Sequence, residues 1–566
     1  MKRFGNFLRP LAVTLPLLSL VACGGDGQSQ QGLEVNVLVG SALHDFCDQA
    51  AAQFNATEPQ LASGEDFYIA CEAAGSGDVV SRILGHTQQL QSGTISPDDP
   101  SLPTLISVDG EIYHSQLLYQ MQQLVPGQDY VPQITDAPLL AYSPMVFMTR
   151  ADLAPSLQAV DDLFQAFTTA ETHQDLDAAS TPQKIFYVHT APTRSNSGLQ
   201  TLVAQFASVS GKRPSDLTAA DVSTYQTEIQ KIQQKITRYG TSTSSLATAM
   251  VKNGPFWASV GSVYESSVIA ANTTLPPGSP KYVAVYPPAT FTSNMRGILL
   301  QAPWVNGQEA AAATQFLAYL QQPDTQALAA ELGLRPGIPG VPLSSKFSPE
   351  FGVESEASYD SYRPPEAAVV DAMITAWADF AKKPSLVVIV VDSSGSMEGN
   401  KLPAVQSTLQ TYIETLGPND QVALVDFDED IRPPVLVDGT PEGRQRGYDF
   451  INNLQALGGT RLYDASLDAR DWLLANLRAD AINAVLVLTD GEDSGSDVPL
   501  DMLLTNLQES DFSTDERIAF FTIGYGDEGD FNPDVLSQIS EQTGGYYAKG
   551  DPESIARLMQ DIQLEF

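Results

Sequence analysis

The sequence predicts an α/β protein made of two successive units, a two-lobed front half and a doubly wound parallel sheet behind it. Three observations carry that expectation. Short apolar runs alternate with helix-period segments through most of the 566 residues, which is the pattern of βα units and parallel sheets. Residues 386–391 read Leu-Val-Val-Ile-Val-Val, a run too continuous for a half-exposed strand and suited to a central strand covered on both faces. Between the halves lies an acidic stretch, residues 348–366, with Pro364-Pro365 near its end, the composition of a domain junction. An apolar content of 43% allows each unit a substantial core.

Residues 1–22 read as a targeting segment. Lys2, Arg3 and Arg9 make a positive region, and residues 10–22 are an apolar stretch too short to cross a bilayer. Leu20-Val21-Ala22-Cys23 is similar to the lipobox of bacterial lipoproteins. That resemblance implies cleavage before Cys23 and its lipidation, a firm anchor because each buried methylene adds about 0.8 kcal/mol. An ordinary secretory signal is the alternative. Residues 23–32 are then the lipidated Cys and a Gly-rich flexible tether. Gly24 next to Cys23 favours the outer membrane where the cell has one, with the folded part in the periplasm or at the cell surface. Cys47 and Cys71 remain as a pair in an exported chain, one on an expected helix (44–54) and one on the next strand (67–73). A disulfide is the expected state, with two buried free thiols as the alternative.

The front unit is expected over residues 33–347. Strands start at Leu33, Phe67 and Leu105, and Gly75-Ser76-Gly77 opens a helix. Tyr142-Ser-Pro-Met-Val-Phe-Met reads as a crossover between lobes (142–148), and Tyr286-Pro-Pro-Ala and Met295-Arg-Gly-Ile-Leu-Leu as the return (286–300). Thr193-Arg-Ser-Asn-Ser-Gly precedes a helix, residues 311–329 are helical, and Gly333-Leu-Arg-Pro closes the unit. In this order the features resemble an extracellular solute-binding protein of the periplasmic type. The resemblance implies a small-molecule ligand between hinged lobes, met by helix N-termini. The candidate contacts are Ser41, Ser76, Gly77, Arg194, Ser195, Asn196, Ser197 and Tyr264; Ser41, Ser76 and Ser195 read equally well as helix caps. Arg194 either clamps a carboxylate or phosphate or answers one of the chain's many acids. Residues 348–384 are the linker and a connecting helix (367–381), which sequence alone assigns to neither unit.

In residues 385–566 the strand at 385–392 ends in Asp392, Ser394 and Ser396, oxygen-bearing side chains at alternate positions. Ligands of open α/β sheets sit at the carboxyl ends of strands. Gly458-Gly-Thr460 precedes a further helix, and the buried run from Ala484 ends in Asp490. This D-x-S-x-S pattern with Thr460 and Asp490 resembles the metal-ion-dependent adhesion site (MIDAS) of a Rossmann-like von Willebrand factor type A (VWA) domain. The resemblance implies metal ligation by Asp392, Ser394, Ser396, Thr460 and Asp490, with the two Asp acting largely through water. All five are hard oxygen donors, which selects Mg²⁺, or Mn²⁺ or Ca²⁺, over Zn²⁺. Helix capping is the competing account of each hydroxyl taken singly. The acids Asp428, Glu429, Asp430, Glu492 and Asp493 read as surface charge, with a weak second Ca²⁺ site as the alternative.

The chain carries 30 Lys+Arg against 68 Asp+Glu. The net charge is −15 up to Pro384 and −23 from Ser385 to Phe566, together the −38 of the whole. Such a surface repels nucleic acid, and membrane contact is expected through the lipid anchor only. No nucleotide loop, H-E-x-x-H or G-x-S-x-G occurs, the five His are scattered, and Asp426 with Asp428 is an acid pair lacking a nucleophile. An enzyme is not expected. The preferred reading is an envelope binding protein that captures an acidic residue of a protein partner through its metal, with a solute-binding-like module that senses or docks a ligand. The alternative is a solute-binding lipoprotein of a transport system, with the VWA domain as docking platform.

Overall fold

A computed structural model describes residues 32–514, 516–526 and 529–566; the signal segment, Cys23 and the rest of the tether before Gly32 lie outside the described residues. In the front half β1 (Leu33–Gly40), β2 (Phe67–Ala74) and β3 (Leu105–Ser107) pair in parallel about β1. β4 (Leu139–Arg150) is a 12-residue strand that leaves this lobe for the next. There β5 (Tyr187–Thr190), β6 (Ile236–Gly240) and β7 (Val260–Tyr264) build the second sheet, with β8 (Tyr282–Val285) also on β4. The chain returns through β9 (Ala289–Thr290), β10 (Thr292–Arg296) and β11 (Ile298–Leu299). β10 pairs with the start of β4, whereas β11 joins β3 in the first sheet. Two crossovers, over 139–150 and 289–299, therefore connect the lobes. β12 (Arg335–Pro336) adds to the start of β4.

Cys47, on the helix His44–Asn55, is bonded to Cys71 of β2, with Cα atoms 6.1 Å apart. The pairing follows from βα geometry: the helix after β1 lies over the sheet, and Cys71 is beside Val37 in register.

Two expectations need correction. Residues 311–329 are not one helix but parts of two, Gly307–Leu320 and Pro323–Glu331. Pro323 has no N–H to continue the first and takes an N-terminal position of the second, where none is needed. The expected 367–381 helix is α-helical only over Ala367–Ala376 and widens to a π-turn over Trp377–Ala381. This segment is no free linker. Val370, Met373 and Trp377 are buried, packing on the helices Ala219–Gln233 and Glu111–Leu124. Trp377 Nε1 donates to Gln233 Oε1 at 3.2 Å. Before it, β13 (Asp360–Ser361) pairs in parallel with β9. The connecting helix thus belongs to the front half.

Behind it stands a six-stranded sheet. β14 (Ser385–Asp392), β15 (Gln421–Phe427), β16 (Val435–Asp438), β17 (Ile482–Thr489), β18 (Ala519–Tyr525) and β19 (Tyr547–Gly550) take the spatial order β16-β15-β14-β17-β18-β19. All neighbours are parallel except the short edge strand β16, as its flanking prolines suggest. Every residue of the central β14 is buried, because helices cover both faces; its apolar run needs no polar side.

Candidate metal centre and interlobe cleft

Asp392 ends β14, and a tight turn over Gly395–Met397 lifts Ser394 and Ser396 above the carboxyl edge of the sheet. Asp392 and Asp490 are 0% and 1% exposed, whereas Ser396 lies on the surface. The loop carrying Thr460 is laid against this turn: Gly395 N donates to Gly458 O at 3.1 Å and Leu457 N to Ser393 O at 2.9 Å. Gly458 has φ +73°, a left-handed conformation that favours glycine. The oxygens form a chain. Ser394 Oγ lies 2.9 Å from Ser396 Oγ, which donates to Asp490 Oδ1 at 2.7 Å. A methyl on Gly491 would stand 3.4 Å from Thr460 Oγ1 and 3.7 Å from Ser396 Oγ, so these hydroxyls flank one point. All five expected side chains meet at this edge.

Three partners had no signal in the sequence pattern. Thr489 Oγ1 donates to Asp392 Oδ2 at 2.5 Å, and the backbone N–H of Ser394 to its Oδ1 at 2.8 Å. Lys401 Nζ contacts Asp490 Oδ2 at 2.8 Å and Asp530 Oδ2 at 3.1 Å. Burial, with Asp490 adding to it, raises the Asp392 carboxyl to about 6 against the hydrogen bonds that favour its charge. Among the described residues no group of three or more His, Cys, Asp or Glu is arranged to hold an ion; the edge offers two carboxylates and three hydroxyls. That donor set fits a hard, oxygen-seeking cation. Asp490 shares its charge with Lys401, which leaves little anionic charge at the site.

Of the additional acids, Asp428 is buried rather than on the surface: Arg432 reaches it at 2.7 Å, and it accepts from Asp430 N at 2.7 Å. Arg432 also lies 3.5 Å from Asp426, so it neutralises the acid pair. Asp493 accepts from the hydroxyl of Ser496.

The other candidates converge between the lobes, and on one another. Ser76 Oγ accepts from Asp109 N at 3.0 Å, and Gly77 N donates to Arg194 O at 2.9 Å. A methyl on Gly77 would stand 2.2 Å from Thr193 O, so only glycine permits this approach. Asn196 Nδ2 donates to Tyr264 Oη at 2.9 Å and Asp109 O at 3.1 Å. Ser197 Oγ lies 2.6 Å from Thr243 Oγ1 and 3.1 Å from Ser195 Oγ. Ser41 stands apart, beside a space of about 70 Å³ shared with Thr243 and Ser266. Arg194 is engaged: its guanidinium pairs with Asp78 at 3.0 Å and with Asp561 of the rear domain. Of the two roles open to it, answering neighbouring acids is the one seen.

At the centre of the closed cleft lies Asp109, which local pattern did not single out. It is 3% exposed, its Oδ1 and the Oδ1 of Asn196 have no hydrogen-bond partner, and burial pushes its carboxyl up to about 7. Of the histidines, His173 is buried between Ser156 Oγ (2.7 Å) and Ser259 Oγ (2.9 Å), and burial lowers it to about 4. It is a neutral core residue.

The family described as bacterial extracellular solute-binding protein matches residues 49–353, more than half of the chain. The von Willebrand factor type A domain matches residues 387–492. Human (Homo sapiens) inter-alpha-trypsin inhibitor heavy chain H4 is 28% identical over 190 residues, 32% of this chain and 20% of that protein. The chain thus spans about a fifth of the length of the curated relatives it matches. Among solved structures, the sulfate-binding protein SubI from Mycobacterium tuberculosis is 16% identical, covering 61% of this chain and 96% of its own, with a TM-score of 0.38. A von Willebrand factor type A structure from Catenulispora acidiphila is 23% identical, covering 32% of this chain and 43% of its own, with a TM-score of 0.28.

Proposed function

The chain belongs to the bacterial extracellular solute-binding protein family and carries a von Willebrand factor type A domain behind that unit, and from this premise we propose that it is a lipid-anchored envelope protein that binds a protein partner through a divalent metal. The observation that carries the reading is the chain of oxygens from Ser394 through Ser396 to Asp490, with Thr460 facing the same point and Asp392 behind it. Ser394, Ser396 and Thr460 would hold Mg²⁺ or Mn²⁺, and Asp392 and Asp490 would supply charge at one remove. Such an ion, when bound, offers an exchangeable coordination position to a carboxylate. Lys401 keeps Asp490 oriented and partly neutralised, and the exposed Ser396 leaves the approach open. The expected anchor is Cys23, outside the described residues. Among the described residues no helix is long and apolar enough to cross a membrane.

The solute-binding-like unit has its lobes closed on hydrogen bonds among its own side chains, so a ligand there must replace the Asn196, Tyr264 and Asp109 contacts. The unpartnered acceptor Asn196 Oδ1 favours a donor-bearing solute. Binding, rather than catalysis, suits both units.

Calorimetric titration of the full chain with Mg²⁺ tests the metal. One saturable site is expected, weakened by about ten- to a hundredfold in Ser396→Ala or Asp490→Asn, as for changes around other protein-bound metals. Absence of that binding removes the site. Retention of envelope proteins on the immobilised chain should then vanish with EDTA and return with Mg²⁺; retention indifferent to EDTA removes capture through the metal while leaving the ion in place.

A further inference from the structure

In a chain with more than twice as many acids as bases, the cations are not spread evenly. A cavity of about 610 Å³ opens where the second lobe, the end of the connecting segment and the rear domain meet. The lobe contributes Lys184, Lys231, Lys235 and Arg238, the connection Lys383, and the rear domain Arg478 and Arg517. Among the described lining residues Glu171 is the single carboxylate. These residues enter by the amino ends of β17 and β18, through Ile482, Asn483 and Ala519. The metal edge is at the opposite ends of the same strands, about 25 Å away at the usual rise per residue.

We infer that this junction is a binding site for a small polyanion, a molecule carrying two or more phosphate or carboxylate groups.

Several of the cations are held in place by neutral or aromatic groups. Lys383 Nζ donates to the carbonyls of Gln234 (3.1 Å) and Ile236 (2.8 Å). Arg238 donates to Gly544 O at 3.0 Å and lies over the rings of Phe521 and Trp257. Its nearest carboxylate, Glu565, is at 3.7 Å, and burial raises that group to about 7. The guanidinium of Arg517 rests 3.6 Å from the centre of the Phe186 ring. Lys235 pairs with Glu171 and Arg478 with Asp480, both of whose carboxylates are largely exposed. Burial, reinforced by Arg517 and opposed by Asp480, lowers Lys383 to about 8, because a partly dry space disfavours the charged ammonium. A cleft in which cations outnumber carboxylates among the described lining residues favours an anion, and this volume matches that of small-molecule sites. Guanidinium groups from two domains suit bidentate contacts to phosphate or carboxylate. A ligand there would touch both domains and the segment between them, tightening their union.

Titration of the full chain with pyrophosphate and with citrate, in metal-free buffer at matched ionic strength, tests the site apart from the metal. Saturable binding of at least one is expected, with inorganic phosphate weaker by about tenfold or more because it bridges fewer cations. Lys231→Glu combined with Lys383→Gln should weaken the bound probe by about tenfold or more, and Lys281→Gln, on another face, should not. Acylation of the unaltered chain, followed by mass spectrometry, gives a readout independent of any variant: the probe should slow modification of Lys231 and Lys383 but not of Lys281. Preference for pyrophosphate or for citrate assigns the ligand to phosphates or carboxylates. No saturable binding by either, or binding that neither shields these lysines nor responds to their replacement, overturns the inference.

Discussion

Arg335→Met is expected to destabilise the front half by about 3–5 kcal/mol, because it strips the counter-ion from a fully buried carboxylate. Arg335 meets Glu265 through two parallel bonds, Nε to Oε2 at 2.7 Å and Nη2 to Oε1 at 2.8 Å. Glu265 is 0% exposed, with Tyr286 Oη donating to it at 2.5 Å. The same guanidinium donates to the carbonyls of Ser355 (3.1 Å) and Glu354 (2.9 Å). It therefore fastens the segment leaving the family-matched region onto the second lobe, next to the cleft residue Tyr264. The double change Arg335→Met with Glu265→Leu should recover a large part of the loss, since removing both charges leaves none stranded. Denaturant midpoints measure both. A single variant within about 1 kcal/mol of the parent would mean that the pair is solvated.

Asp109 produces the second large effect, and its sign is set by burial. Its ordinary carboxyl value is 3.8 and the folded value is about 7, so the folded chain holds a proton that the unfolded chain has released. The associated stability is complete below about pH 4 and is lost as the pH rises through 7. Between about pH 5 and pH 8 this one group should lower stability by about 2.5 kcal/mol. Asp109→Asn, which cannot ionise, should be less sensitive to pH by that amount, measured as the difference in unfolding free energy at the two pH values. Glu565 is raised for the same reason, but it is present in both proteins and cancels in the difference. Equal pH dependence in parent and variant would place Asp109 in contact with water.

Both groups lie where local pattern is silent. Glu265 follows a tyrosine that the sequence marks as a cleft residue, yet nothing near it marks Arg335, 70 positions on, as its partner. Asp109 follows a short buried strand, as many exposed loop acids do. The candidate metal edge was different. Asp392, Ser394 and Ser396 alternate along a strand end, where the two-residue period puts them on one side, and the buried run before Asp490 identifies a neighbouring strand. Lys401 and Thr489 joined that site only through the fold.

The sequence alone determined the alternation of strands and helices and the two-unit architecture, and it supplied the pairing of Cys47 with Cys71 and the set of oxygens at one sheet edge as expectations. Each rests on repeats of two or 3.6 residues, or on short motifs, which are properties of neighbouring positions. Tertiary structure alone decided that the connecting helix packs with the front half, that Arg194 is taken by an aspartate 367 residues away, that the lobes close around Asp109, and that cations from three segments face one cavity. Charge pairing and closure depend on which surfaces meet in space, and residues so far apart in the chain leave no local periodicity by which they could be matched.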